Sequence, residues 1–265
     1  MNYITSSQNP VIKELKSLNK RKSRGAENLF FVEGLRIVEE ALEEGADIVR
    51  VLVSQEFTGT AAGKALLKNI RSKSIKLFIL ANSLYREMSD TKNPQGVMAV
   101  IKSKPLSLEE IMVKNKFLVI LDSIQDPGNM GTIIRTADAA DAGGVIVSKG
   151  CVDIYNPKVL RSTMGSIFRV PVFLSADLED TIKIVKSKGI RVCAAHLNGD
   201  ISHFQLDRSP KTAFIIGNEA NGISDEVAAL ADILVKIPMP GGAESLNASV
   251  AAALLMYEAV RWRLA

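Results

Sequence analysis

Beyond residue 105 the sequence alternates short, β-branched apolar runs with stretches of helical character, and this alternation limits the fold more than any other feature. The runs lie at 117–121, 145–147, 172–174, 192–195, 214–216 and 233–237. Strands of this kind, with helices between most of them, predict a parallel sheet covered by helices. A last helix, expected over about 247–263, is rich in alanine (Ala248, Ala251, Ala252, Ala253), and such small side chains let another helix or sheet approach closely.

The first part predicts a smaller α/β unit. Asn9-Pro10 has the form of an N-cap followed by proline at the first helical position, opening a helix to about Leu18. Leu29-Phe30-Phe31-Val32 has the length and composition of a buried strand. Leu35, Val38, Ala41 and Leu42 then repeat at helical spacing until Gly45. Further strands are expected at 49–53, 76–80 and 97–101, with helices near 60–70 and 82–89. The polar stretch Lys102-Ser103-Lys104-Pro105 marks a boundary, giving domains 1–105 and 106–265.

Charge is uneven between these parts. Up to residue 105 there are seventeen basic residues against eleven acidic ones; beyond it, sixteen against eighteen. Lys13, Lys16, Lys20, Arg21, Lys22 and Arg24 face only one acid, Glu14. Such a cluster suits a phosphate backbone, although a solvated helix face is the plainer alternative. Lys13, Lys20, Arg21, Lys22 and Arg24 are the candidate nucleic-acid contacts.

Several classes are excluded. Cys151 and Cys193 have no metal-ligand spacing, and with His196 and His203 they are read as structural. Metal chemistry is therefore not expected. No apolar stretch is long enough to span a membrane, and the first residues lack a secretory pattern, so a cytoplasmic protein is expected. There is no phosphate-binding G-x-x-x-x-G-K-[ST] loop, no G-x-G-x-x-G after a strand and no G-x-S-x-G elbow.

Three glycine- or proline-rich loops instead follow strands, where open α/β sheets place ligands. They are DPGNMGTIIRTADA at 126–139, IIGNEANGIS at 215–224 and IPMPGGAESLN at 237–247. Taken singly, Arg135 reads as a surface ion-pair partner, Glu219 as a capping residue before the helix at Ser224, and Asn247 as an N-cap. Arg161 and Arg169 are equally open to structural or nucleic-acid-binding roles.

Together, in this order, the loops resemble the SPOUT superfamily, and more narrowly its SpoU (TrmH-like) branch of RNA ribose 2′-O-methyltransferases. The stretches ITSSQNPVIKELKSL and FFVEGLRIVEEAL are similar to the ribosomal-protein-like substrate-binding domain that precedes many members. The resemblance implies an α/β fold with a C-terminal parallel-sheet domain containing a deep trefoil knot, S-adenosyl-L-methionine as cofactor, and a homodimer. Residue by residue it implies catalytic roles at Asn129, Arg135, Glu219, Ser245 and Asn247, and cofactor contacts at Gly217, Ile237, Met239, Leu246 and Asn247. Ribosomal RNA is the expected substrate, ahead of transfer RNA. From other classes, a non-catalytic RNA-binding or ribosome-assembly protein and an enzyme acting on a small anionic metabolite remain alternatives.

Overall fold

The computed structural model describes residues 2–112, 116–207 and 211–264. It divides into two compact units. One holds the chain up to Lys104 together with Tyr155–Phe168; the other holds 105–154 and the chain from Arg169 onward.

The first unit contains β1 (Asn2–Ile4), α1 (Pro10–Ser17), α2 (Arg21–Glu27), β2 (Leu29–Glu33), α3 (Leu35–Glu43), β3 (Ile48–Ser54), α4 (Gln55–Gly59), α5 (Ala61–Ser72), β4 (Lys76–Leu80), α6 (Asn82–Met88) and β5 (Val97–Lys102). Its mixed sheet has the order β1-β4-β3-β5-β2. Because strand side chains alternate between faces, the central strands feed two cores. Phe30, Val32, Val51, Val53, Val97, Ala99 and Ile101 pack with α3 and α5 on one side. Phe31, Leu52, Met98 and Val100 pack with α1 and α6 on the other. The helix Pro157–Thr163 completes the first of these cores through Leu160, and Tyr155 stacks on Phe30 with ring centroids 4.4 Å apart.

The second unit contains α7 (Leu108–Met112), β6 (Leu118–Leu121), α8 (Pro127–Ala139) and β7 (Gly144–Ser148). With Pro157–Thr163 counted as α9, there follow β8 (Val172–Ser175), α10 (Leu178–Ser187), β9 (Arg191–Ala195), β10 (Ile201–Ser202), β11 (Thr212–Ile216), α11 (Asp225–Ala228), β12 (Ile233–Lys236) and α12 (Ala248–Leu264). The sheet order is β10-β12-β9-β11-β6-β7-β8, and every pairing is parallel. β6, β7 and β11 are buried along their whole length, as helices on both faces require. α12 packs on α8 and on β11, where Trp262 meets Phe214. From β6 the chain proceeds outward through β7 to β8, whereas β11 and β9 lie on the opposite side of β6. That reversal opens a crevice beyond the C-terminal ends of β6 and β11. No helix among the described residues is long and apolar enough to cross a membrane.

Candidate active site

The three glycine- and proline-bearing loops meet here through hydrogen bonds. Asp126 caps α8, its side chain accepting from the Asn129 N–H at 2.8 Å, and Pro127 occupies the first helical turn. This cap turns Asn129 inward, where it is 8% exposed. Glu219 reaches across from the second loop. Its Oε2 accepts from the Gln125 N–H at 3.0 Å, and its Oε1 accepts from the Asp126 N–H and from Asn129 Nδ2, both at 3.0 Å. Asn129 Oδ1 in turn accepts from Asn247 Nδ2 at 2.9 Å. Asn247 closes the chain of contacts by accepting from the backbone N–H and the hydroxyl of Ser249 at the start of α12.

Three sequence candidates from three separate loops therefore form one hydrogen-bonded line, Glu219–Asn129–Asn247. Asn247 both caps α12 and donates to Asn129, and Glu219 holds backbone N–H groups as well as Asn129. Burial pushes the Glu219 carboxyl upward, but the hydrogen bonds from Asn129, Gln125 and Asp126 outweigh it and leave its pKa below the ordinary carboxylate value. It is a fixed anion that orients its neighbours.

Beside this line lies a cleft of about 420 Å3. Gly217, Glu219, Ile237, Met239, Ser245 and Leu246 line it, so four of the five cofactor candidates come together, while the fifth, Asn247, lies on the hydrogen-bonded line and not in the cleft lining. Gly217 is needed for the loop itself: a Cβ there would stand 2.2 Å from the Gly222 carbonyl carbon. Gly242, by contrast, has open space around it. The sequence reading missed the wall formed after β9 by His196, Leu197 and Asn198, which carries none of the glycine–proline density of the other loops. It also missed Asn218, whose Nδ2 donates to the Ser123 carbonyl at 2.7 Å. A hollow of about 460 Å3 on the first unit, walled by Leu35, Arg36, Glu39, Glu40, Glu43 and Gln95, is larger but wide open and strongly acidic.

Arg135 stands apart. It lies farther along α8 on the exposed face, does not line the cleft and makes no hydrogen bond or ion pair among the described residues. Arg161 and Arg169 are paired with Asp90 and Asp138. Burial pushes the Cys151 thiol up and the Cys193 thiol up to about 11, which disfavours thiolate chemistry at either. No group of three or more His, Cys, Asp or Glu able to hold a metal occurs among the described residues.

In the first unit Lys13, Lys20, Arg21 and Lys22 are exposed. Arg24 corrects the expectation of a five-residue surface cluster. It is 7% exposed, and its Nη1 donates to the Leu18 carbonyl at 2.6 Å, so it secures the end of α1 instead of facing solvent.

Residues 116–257 match the SpoU rRNA Methylase family. The chain belongs to that family. Residues 9–99 of this SpoU family member match the MRM3-like substrate binding domain. The chain is similar to 23S rRNA (guanosine(2553)-2'-O)-methyltransferase RlmP of Bacillus subtilis, 33% identical over 257 residues, covering 97% of this chain and 98% of the relative. It is also similar to the 23S rRNA (uridine(2479)-2'-O)-methyltransferase of Streptomyces viridochromogenes, 35% identical over 254 residues, covering 93% of this chain and 88% of the relative. Among solved structures, the SpoU methyltransferase AviRb from Streptomyces viridochromogenes in complex with AdoMet superposes with a TM-score of 0.90 at 32% identity. The match covers 97% of this chain and 99% of that one.

Proposed function

We propose that this protein transfers a methyl group from S-adenosylmethionine to a ribose 2′-hydroxyl of ribosomal RNA. The observation that carries the reading is the Glu219–Asn129–Asn247 line set beside a cleft of about 420 Å3. The volume falls within the range of about 300–1,000 Å3 usual for small-molecule sites. Its walls combine apolar Ile237, Met239 and Leu246 with polar Asn218 and Ser245, which fits a ligand with a flat heterocycle at one end and charged groups at the other.

When bound, the cofactor supplies a methyl on a sulfonium, a group that departs as a neutral thioether. What remains for the protein is placement. Asn129 uses one N–H on Glu219 and one lone pair on Asn247, which leaves one donor and one acceptor to orient the hydroxyl. Arg135 serves as a clamp for the adjoining phosphate or for developing oxyanion charge. A guanidinium keeps its proton in proteins, so it is poorly suited to be the base. The exposed Lys13, Lys20, Arg21 and Lys22 supply the sequence-independent attraction to RNA. Ribosomal RNA is favoured over transfer RNA by the family match and by the named substrates of the relatives.

The active form is a homodimer. Val250, Leu254 and Tyr257 are 47%, 39% and 51% exposed and recur along one face of α12, a stripe suited to an isologous contact. Arg135, lying outside its own cleft, gives further support to a site completed by two chains; sedimentation of the pure protein reads this directly. The trefoil knot belongs to the same reading, supported by the return of segment 237–247 from β12 to Asn129 in the first loop. A cytoplasmic location is supported by two free, buried cysteines. Incubating the protein with methyl-labelled cofactor and ribosomal RNA tests the activity: label in RNA is expected, and a non-catalytic RNA-binding protein would give none.

A further inference from the structure

Three contacts fasten loop 217–224 to the turn 122–126, and only the middle one, through Glu219, enters the mechanism above. At the start of the loop, Asn218 Nδ2 donates to the Ser123 carbonyl. At its end, the Ser224 N–H donates to Asp122 Oδ2 at 3.1 Å.

Asp122 directly follows β6 and is 7% exposed. Its own N–H donates to the Ile216 carbonyl at 2.9 Å, which fixes its backbone at the shared edge of β6 and β11. Its Oδ1 accepts from the Ser123 hydroxyl at 3.0 Å. Ser123 has a φ of 59°, a left-handed conformation that a non-glycine residue keeps only when its surroundings enforce it. Asp122 makes no ion pair among the described residues, and burying a carboxylate without a counter-charge is costly. It does not line the cleft, so any contribution passes through the loop.

We infer that Asp122 is a positioning residue for methyl transfer, latching the far end of loop 217–224 so that Gly217 to Ile223 keep the shape that receives the cofactor. This rests on the function proposed above. The latch depends on hydrogen-bond geometry and not on charge. In Asp122→Asn, the amide oxygen accepts from the Ser224 N–H, while the amide nitrogen donates to the Ser123 hydroxyl, which accepts as readily as it donates.

The test is steady-state methyl transfer by the full-length protein with the cofactor concentration varied. Asp122→Ala should raise KM for S-adenosylmethionine about tenfold, the worth of one buried hydrogen bond, with kcat at saturation changed by less than about threefold. Asp122→Asn should restore KM. Should Asp122→Ala not fold, Ser224→Pro removes the same N–H at a position whose φ of −64° suits proline. It should raise KM beyond Ser224→Ala, which loses only the hydroxyl. An unchanged KM in Asp122→Ala, or equal KM in the two Ser224 variants, overturns the latch. So does an Asp122→Asn protein that loses kcat like a missing charge. Hydrogen exchange on the ligand-free protein separates this inference from the function itself. Asp122→Ala should lose protection at amides 218–224 while α8 stays protected, whether or not the wild type methylates RNA; retained protection in that loop overturns the latch.

Discussion

Asn247 Nδ2 donates to Asn129 Oδ1 at 2.9 Å, joining residues 118 positions apart. The orientation of both amides is set from the two ends of the line. Asn129 must turn its nitrogen to the Glu219 carboxylate, and Asn247 must turn its oxygen to the Ser249 N–H. Asn129→Asp places a second carboxylate against Glu219, and two like charges in contact cannot both stay ionised without cost. Single-turnover methyl transfer should fall about a hundredfold or more, comparable to losing a preorganised donor at a reacting centre. Retention of near-normal turnover would show that the line is only a loop tether.

Acid should weaken the wild type more than Glu219→Gln. The folded-state pKa of Glu219 is depressed, so its contribution to stability is fully present above the unfolded carboxylate value of about 4.3 and is lost as pH falls through the lower folded value. Melting temperatures of the two proteins should therefore differ by a constant amount at neutral pH and converge below about pH 4. The difference is modest, because the group is partly solvated. A gap that widens in acid would contradict the assignment.

Two glycines separate loop folding from ligand contact. Gly217→Ala forces a Cβ into the backbone of Gly222 and Ile223, so both melting temperature and cofactor affinity should drop. Gly242→Ala meets nothing in the protein, so its melting temperature should match the wild type. Calorimetry then reads whether the ligand needs the space at Gly242. Unchanged cofactor affinity in Gly217→Ala would remove the second loop from the site.

Much of this architecture is legible in the sequence because it is written in local periodicity. The β-branched runs match β6, β7, β8, β9, β11 and β12, and the Asn9-Pro10 signal opens α1 where expected. β1 gives no such signal: three residues with only Ile4 buried carry no alternation, and its partner β4 is distant in sequence. At the site, Asn129, Glu219 and Asn247 are marked by their glycine-rich surroundings. Asp122 and Asn218 look like ordinary turn residues, and only the parallel pairing of β6 with β11 gives them work. Arg24 shows the converse, since a basic run does not reveal which of its members turns inward to meet Leu18.

The basic face makes a separable prediction. Reversing Lys20, Arg21 and Lys22 to glutamate should weaken RNA binding without changing cofactor affinity. Its salt dependence should flatten by roughly 0.7–0.9 in log–log slope for each phosphate that is no longer neutralised. Arg24→Ala should instead lower the melting temperature, because it leaves the Leu18 carbonyl without its buried donor. If Arg24→Ala alters the salt slope as strongly as the charge reversals do, the division of roles is wrong.

The most direct test of the central claim is the chemical position of a transferred methyl group and its dependence on Arg135. Ribosomal RNA labelled by the wild-type protein and then hydrolysed in alkali should release the label in alkali-resistant dinucleotides, since a methylated 2′-oxygen cannot attack the neighbouring phosphate. Arg135→Ala should abolish this label while cofactor affinity measured by calorimetry stays close to wild type. Arg135→Lys should be severely impaired, with no pH–rate profile shifted toward that of a lysine base. Label recovered on a base, or a lysine variant that is active with a shifted profile, would contradict the account: the first denies ribose methylation, and the second makes Arg135 a base instead of a clamp.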